Sequence, residues 1–182
     1  MSETWFRHAD RRYPFLVEGA GQPSARWHAA GRGPVQYLAD TPEGAWAEFL
    51  RHEGITSRED LAGVTRALWA VEVDRDTETV AEPSLPAELL TGGIGSYAAC
   101  RAEAERLRGT GATAILAPSA ALLPAGASGE VTISGGLRPA APRDGLTLSL
   151  FGERPELAGH VCVEAGAAPE RVLALTRPLQ PR

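Results

Sequence analysis

The sequence contains no lysine, and all 18 of its basic residues are arginine. Enzymes that form a Schiff base, bind pyridoxal phosphate or hold a nucleotide in a P-loop depend on a lysine side chain. The absence of lysine therefore excludes these three kinds of chemistry.

Cysteine is also scarce. Cys100 and Cys162 lie far apart in the sequence and outside any CxxC pattern, which argues against a paired metal or redox site. We expect both to be buried, small apolar side chains in a reducing compartment.

Long apolar segments and basic blocks are missing as well. No segment is apolar enough to span a bilayer, and residues 1–12 lack the apolar run of a secretory signal. The formal net charge is -5 and the pI about 5.4, which disfavours binding to nucleic acid by counterion release or to a membrane surface through a basic helix. We expect a cytoplasmic protein with neither nucleic acid nor membrane as a partner.

The composition, 43% hydrophobic and 23% charged over 182 residues, is that of one globular domain spanning residues 1–182. The apolar periodicity predicts an α+β fold with mostly antiparallel strands. Thr41 followed by Pro42 predicts a helix over residues 42–52, and a second helix is expected over residues 96–111. Predicted strands cover residues 4–8, 35–39, 65–74, 112–120, 145–152, 159–166 and 171–179. Residues 77–90 are expected to be irregular, and residues 124–136 a loop around one short strand.

Histidines do not form a metal-binding pattern. His8, His28, His52 and His160 show no ligand spacing, and the sequence contains no HExxH motif. We expect no metal site and no bound cofactor.

The stretch GGIGSYAA, residues 92–99, fits the loose dinucleotide pattern GxGxxA through Gly93, Gly95 and Ala98. That pattern requires a strand directly upstream. The preceding EPSLPAELL contains two prolines, so a loop that leads into a helix is the favoured interpretation.

More informative polar residues lie in and around the first helix. Glu48 and His52 are four residues apart and share one face, either at a ligand site or as an ordinary surface pair. Tyr37 on a strand is better explained by an aromatic ring half in the core with a hydrated hydroxyl. Arg26 beside Trp27 is explained by a cation-π or stacking contact.

Ser119 follows an apolar strand and Pro118. Ligands often bind at such strand ends, although a serine in this position also serves as a turn or cap residue. The sequence contains no GxSxG motif, so a serine hydrolase is not indicated.

Taken in order, WFRH, ARW…G…VQYLADTPEGAWAEFLRH and ILAPS resemble the RES domain family, named for its arginine, glutamate and serine. The spacings from Arg26 to Tyr37 and from Tyr37 to Glu48 are both eleven residues. The resemblance implies an ADP-ribosyltransferase-like fold, with mixed or antiparallel sheets and flanking helices, that acts on NAD as substrate. It further implies that Glu48, with Arg7 and Ser119, is catalytic. The same resemblance assigns substrate binding to the following residues: Arg7, Arg26, Tyr37, His52 and Ser119.

Three functions are consistent with these residues. The favoured one is an NAD-consuming toxin, a glycohydrolase or phosphorylase that cleaves the nicotinamide–ribose bond and is neutralised by an antitoxin. The alternatives are a mono-ADP-ribosyltransferase that modifies a protein and a non-catalytic NAD-binding module. A homodimer is left open, as is the choice of Arg7 over the nearby Arg11 or Arg12 as the first site arginine.

Overall fold

The computed structural model describes residues 2–16, 18–19 and 21–179. Within these residues a seven-stranded sheet has the strand order β4-β5-β8-β2-β1-β3-β9, and β6 and β7 form a separate two-stranded sheet. The strands are β1 (Ser2–Ala9), β2 (Val35–Ala39), β3 (Arg66–Asp74), β4 (Val80–Ala81), β5 (Ala114–Pro118), β6 (Glu130–Ile133), β7 (Gly136–Pro139), β8 (Leu146–Phe151) and β9 (Ala158–Gly166). The helices are α1 (Pro42–Glu53), α2 (Ala87–Leu90), α3 (Tyr97–Gly109) and α4 (Arg171–Leu175). The fold is α+β, as predicted.

All strand pairs of the large sheet are antiparallel except β4 with β5, which is parallel. Strand β2 lies at the centre, between β8 and β1. Its residue Tyr37 pairs with Ser149 of β8, and Phe6 of β1 pairs with Ala39 of β2. This pairing brings β1, β2 and β8 together beneath α1.

Helix α1 begins at Pro42, as the sequence predicts, and ends at Glu53, one residue beyond the predicted range. The Thr41 hydroxyl accepts a hydrogen bond from the Gly44 N–H at 3.0 Å, and Pro42 occupies the first helical turn. Gly54 caps the C-terminus of the helix with a φ of 67°, which is readily adopted only by glycine. Trp46 and Leu50 are buried in a core shared with α4, and this packing fixes the face of α1 that carries Glu48.

Three local predictions are wrong. Residues 77–90 are not wholly irregular: Val80 and Ala81 pair with β5, and α2 follows Pro86. Residues 130–139 form a hairpin rather than a single strand. Residues 171–179, predicted as a strand, begin with α4, because helical geometry places Val172 fully in the α1 core, where tertiary packing outweighs local propensity.

The two cysteines differ in burial. Cys100 of α3 is buried, as expected, whereas Cys162 on β9 is exposed. β9 pairs with β3 on one side only and lies at the end of the strand order, so its side chains receive little cover. No helix in the described part of the chain is long and apolar enough to cross a membrane.

Candidate active site

A cavity of about 580 Å³ lies between α1, the sheet and the segment that precedes β2. Its volume is within the range of about 300–1,000 Å³ that is typical of small-molecule sites. Five of the six predicted site residues line it: Arg7, Arg26, Tyr37, Glu48 and His52.

Glu48 lies in the wall of the cavity. Its side chain is surrounded by protein but remains partly accessible from the cavity. Burial raises the pKa of its carboxyl group, while the positive charges of Arg51 and Arg26 act in the opposite direction. The hydroxyl groups of Ser119 and Thr147 lie 3.4 and 3.5 Å from Glu48 Oε1, and these weak hydrogen bonds also favour the ionised form.

Ser119 combines the two roles that the sequence leaves open. Its hydroxyl oxygen accepts hydrogen bonds from the N–H groups of Ala121 and Leu122, each at 3.2 Å, as a turn-capping serine does. The same hydroxyl donates its proton toward Glu48. Ser119 is buried, and it contacts the cavity wall through the carboxylate of Glu48.

Arg26 is buried in the cavity wall and is held by the α2–α3 connection. Its guanidinium donates to the carbonyl oxygens of Leu89 at 3.1 Å and Gly92 at 2.6 Å, and to Ser96 Oγ at 3.0 Å. It also stacks 4.7 Å from the ring centre of Tyr97. Its aromatic partner is therefore Tyr97 rather than the adjacent Trp27.

Arg7 reaches the cavity from β1. It donates to Gln36 Oε1 at 3.2 Å and forms an ion pair with Glu18, which also lines the cavity. Arg12, by contrast, is exposed and pairs with Asp10. Arg11 and Arg12 lie in a different depression, beside Trp69. Arg7 is therefore the arginine of this cluster that lines the cavity.

The hydroxyl group of Tyr37 makes two contacts with protein groups. It accepts a hydrogen bond from the Trp27 N–H at 3.0 Å and lies 3.0 Å from His28 Nδ1. Burial raises the pKa of Tyr37 above its ordinary value of 10, so the hydroxyl stays protonated and able to donate. Tyr37 thus ties the segment around Trp27 to the central strand.

His52 is exposed at the edge of the cavity. The neighbouring His8 lines the same cavity and packs edge-on against Phe49. Burial, together with the nearby charges of Arg66 and Arg7, lowers the pKa of His8 to about 3. His8 is therefore neutral at physiological pH.

Comparison with known proteins decides the family. The model of the RES domain matches residues 2–144. The chain belongs to the RES domain family.

A solved structure supports the same fold. The chain resembles MbcT in the crystal structure of the M. tuberculosis MbcT–MbcA toxin–antitoxin complex, with 19% sequence identity and a TM-score of 0.55. The match covers 90% of this chain and 86% of that one. A search of curated proteins gave no match.

Sequence reasoning missed several polar residues of this RES domain site, and Arg51 is the one closest in the sequence to Glu48. Arg51 is buried and lines the cavity, three residues after Glu48 on α1. The signal was present, because residues three apart on a helix are neighbours as much as residues four apart.

The GGIGSYAA stretch takes the favoured form, a loop leading into a helix. A 3₁₀ turn over Ile94–Ser96 precedes α3, and the element upstream is α2 rather than a strand. Among the described residues, no three His, Cys, Asp or Glu side chains cluster as metal ligands would.

Proposed function

We propose that this RES domain is an NAD-consuming enzyme that cleaves the bond between nicotinamide and ribose. The observation that carries the proposal is the position of Glu48: one carboxylate, partly accessible, in the wall of a cavity that two buried arginines, Arg7 and Arg26, also line. The family resemblance read from the sequence supplies NAD as the substrate.

The carboxylate suits this reaction. As the bond between the ribose C1′ and the nicotinamide nitrogen breaks, its electron pair leaves with neutral nicotinamide, and positive charge grows on the ribose ring. A fixed carboxylate in a partly desolvated site stabilises that charge. A water oxygen then bonds to C1′ and loses a proton, giving ADP-ribose. Because the stabilising group must be ionised, activity should rise with pH through the raised pKa of Glu48.

Arginine suits the pyrophosphate of NAD, because its planar fork matches two phosphate oxygens at once. The terminal nitrogens of Arg26 donate hydrogen bonds to main-chain carbonyl oxygens and to a serine hydroxyl. These bonds fix the orientation of its guanidinium group. Arg7 is paired with Glu18. We therefore propose that Arg7 releases Glu18 and binds a phosphate oxygen of NAD directly. Arg26 would keep its protein partners and attract the pyrophosphate through its fixed positive charge.

The products of labelled NAD test this assignment of the reaction. NAD carrying a label in the adenylate half is incubated with the purified protein and then with a cell lysate. We expect free ADP-ribose, or ADP-ribose 1″-phosphate when the acceptor is phosphate, together with free nicotinamide. A labelled protein band in the lysate would instead indicate mono-ADP-ribosyl transfer, and NAD binding without any product would indicate a non-catalytic module.

We further propose that the protein acts as a toxin that a cognate antitoxin protein neutralises, in analogy to the MbcT–MbcA toxin–antitoxin complex. Induced expression should lower cellular NAD before growth stops, and expression of the Glu48→Gln variant should do neither. If growth stops while NAD remains constant, the toxic activity has another target.

A further inference from the structure

Arg51 connects the two turns that enclose Glu48. From α1 it donates hydrogen bonds to the carbonyl oxygen of Ala120 and, at 2.6 Å, to that of Gly92. Ala120 follows Ser119 in the turn after β5, and Gly92 lies between α2 and α3. One side chain thus fixes both turns to the helix that carries Glu48.

The carbonyl oxygen of Gly92 is shared by two arginines. Arg26 also donates to it, at 2.6 Å, so two guanidinium groups meet at one main-chain oxygen. Gly92 has no room for a side chain, because a Cβ atom there would lie 2.5 Å from the carbonyl oxygen of Glu88. Both positive charges are thus oriented by the same main-chain carbonyl oxygen.

The terminal nitrogens of Arg51 already donate hydrogen bonds to these carbonyl oxygens. We therefore expect Arg51 to contribute little direct hydrogen bonding to the substrate. A buried guanidinium that is bonded to neutral partners keeps its full charge, and in a partly desolvated site that charge acts over several ångströms. The carboxyl group that acts on it is that of Glu48, three residues earlier on α1.

We infer that Arg51 is a positioning residue, which keeps Glu48 ionised and holds the Ser119 turn against it while leaving the substrate to other side chains. This inference rests on the proposed function for its kinetic consequences only. Its electrostatic consequence, a lower proton affinity of Glu48, is independent of the substrate.

Other groups also face Glu48, and the experiment must allow for them. On its own helix His52 lies one turn away, and the hydroxyl groups of Ser119 and Thr147 donate to it from the loop after β5 and from β8. The remaining titratable or charged groups around the cavity are Arg7 and His8 on β1, Glu18 and Arg26 before β2, Tyr37 on β2 and Tyr97 on α3. Arg177 is a further cation that acts on Arg51.

The test compares Arg51→Gln, which removes the charge, with Arg51→Lys, which keeps the charge but loses the fork. Carbon-13 NMR of labelled glutamate carboxyl groups, with the Glu48 signal assigned by its loss in Glu48→Gln, measures the pKa of Glu48 directly. We expect that pKa to rise by about 1 unit in Arg51→Gln, since a nearby opposite charge shifts a carboxyl pKa by about 1–3 units. In Arg51→Lys it should stay near the wild-type value. Arg58 is exposed, so Arg58→Gln serves as the control and should leave the pKa of Glu48 unchanged.

Kinetics add a second readout. In Arg51→Gln the kcat for nicotinamide release should fall about tenfold at pH values below the Glu48 pKa and recover as the pH rises, while KM changes by less than about threefold. A lowered kcat with an unshifted pH profile and an unshifted Glu48 pKa would overturn the inference, because a purely structural role predicts that result. If Arg51→Gln does not fold, Arg51→Lys carries the test: its Glu48 pKa should match that of the wild type, and a Glu48 pKa about 1 unit higher in this charge-keeping variant would overturn the inference. If the wild-type protein releases no nicotinamide, the proposed function fails, and the NMR titration still tests the role of Arg51.

Discussion

The hydroxyl group of Ser119 lies 3.4 Å from Glu48 Oε1, although the two residues are 71 positions apart. The antiparallel pairing of β5 and β8, next to β2 beneath α1, brings these distant residues together. Ser119 is anchored by two main-chain N–H groups, so its position is fixed before any substrate binds. The site is thus preorganised around the carboxylate.

Replacing Ser119 by alanine should lower kcat by about threefold to tenfold, because Glu48 loses a hydrogen bond that favours its ionised form. The turn also loses its cap, which should cost about 1 kcal/mol of stability. Ser57→Ala is the matched control, since Ser57 likewise caps a turn, by accepting from the Asp60 N–H, but lies outside the cavity. We expect the two variants to lose similar amounts of Tm, and only Ser119→Ala to lose kcat. Equal kcat values in the two variants would contradict the role of Ser119 at Glu48.

Glu48 should lower the stability of the protein at neutral pH. Burial raises its pKa above the ordinary value of 4.5, so the folded state binds the proton more tightly than the unfolded chain does. The stabilising contribution of the protonated group is therefore present below pH 4.5 and is lost as the pH rises through the raised pKa.

Glu48→Gln, which is neutral at every pH, should accordingly have a higher Tm than the wild type at pH 8. The difference should shrink towards pH 4, and each kcal/mol corresponds to about 2–4 °C for a domain of this size. Thermal unfolding of both proteins across this range measures the effect, with Glu53→Gln, at an exposed position on the same helix, as control. A Tm advantage that grows as the pH falls would contradict the assigned direction of the pKa shift.

The pair formed by Arg7 and Glu18 should compete with the substrate. If the phosphate of NAD binds to Arg7, it must first displace the Glu18 carboxylate. Glu18→Gln weakens that competitor, since a hydrogen bond between charged groups is worth about 1.5–3 kcal/mol and a neutral one less. We expect KM for NAD to fall by about tenfold with little change in kcat.

Steady-state kinetics at constant ionic strength measure this change. Glu3→Gln breaks a comparable pair, with Arg75, on a side chain that does not line the cavity and should leave KM unaltered. A higher KM in Glu18→Gln would show that Glu18 supports Arg7 rather than competes for it.

Local signals predicted the parts of the fold that local chemistry determines. Helix α1 could be predicted because Thr41, Pro42 and Gly54 carry the cap and stop signals in the sequence itself. Strands β2, β3 and β5 follow from short apolar runs. Helix α4 could not, since the alternation in RVLALT is typical of a strand, and only the burial of Val172 against α1 selects the helix.

The sequence indicated most residues of the site, but it did not indicate which residues contact each other. Arg26 and Glu48 could be singled out from the sequence, yet nothing local indicates that Gly92 offers its carbonyl oxygen to Arg26 and Arg51 at once. That contact joins the segment before β2, which carries Arg26, to the connection between α2 and α3, which carries Gly92, and three strands lie between them in the sequence. The partner of Arg7, Glu18, was equally hidden, because a glutamate in a glycine-rich loop has no periodicity to mark it.

The central claim is that NAD is cut beside the carboxylate of Glu48. The most direct measurement is the rate of nicotinamide release from NAD by the wild-type protein, Glu48→Gln and Glu53→Gln, each shown to be folded by its thermal transition. Loss of a charge that stabilises the transition state costs about 100-fold to 1,000-fold in kcat, so Glu48→Gln should fall by at least about 100-fold while Glu53→Gln matches the wild type. A Glu48→Gln variant that releases nicotinamide at the wild-type rate would contradict the account.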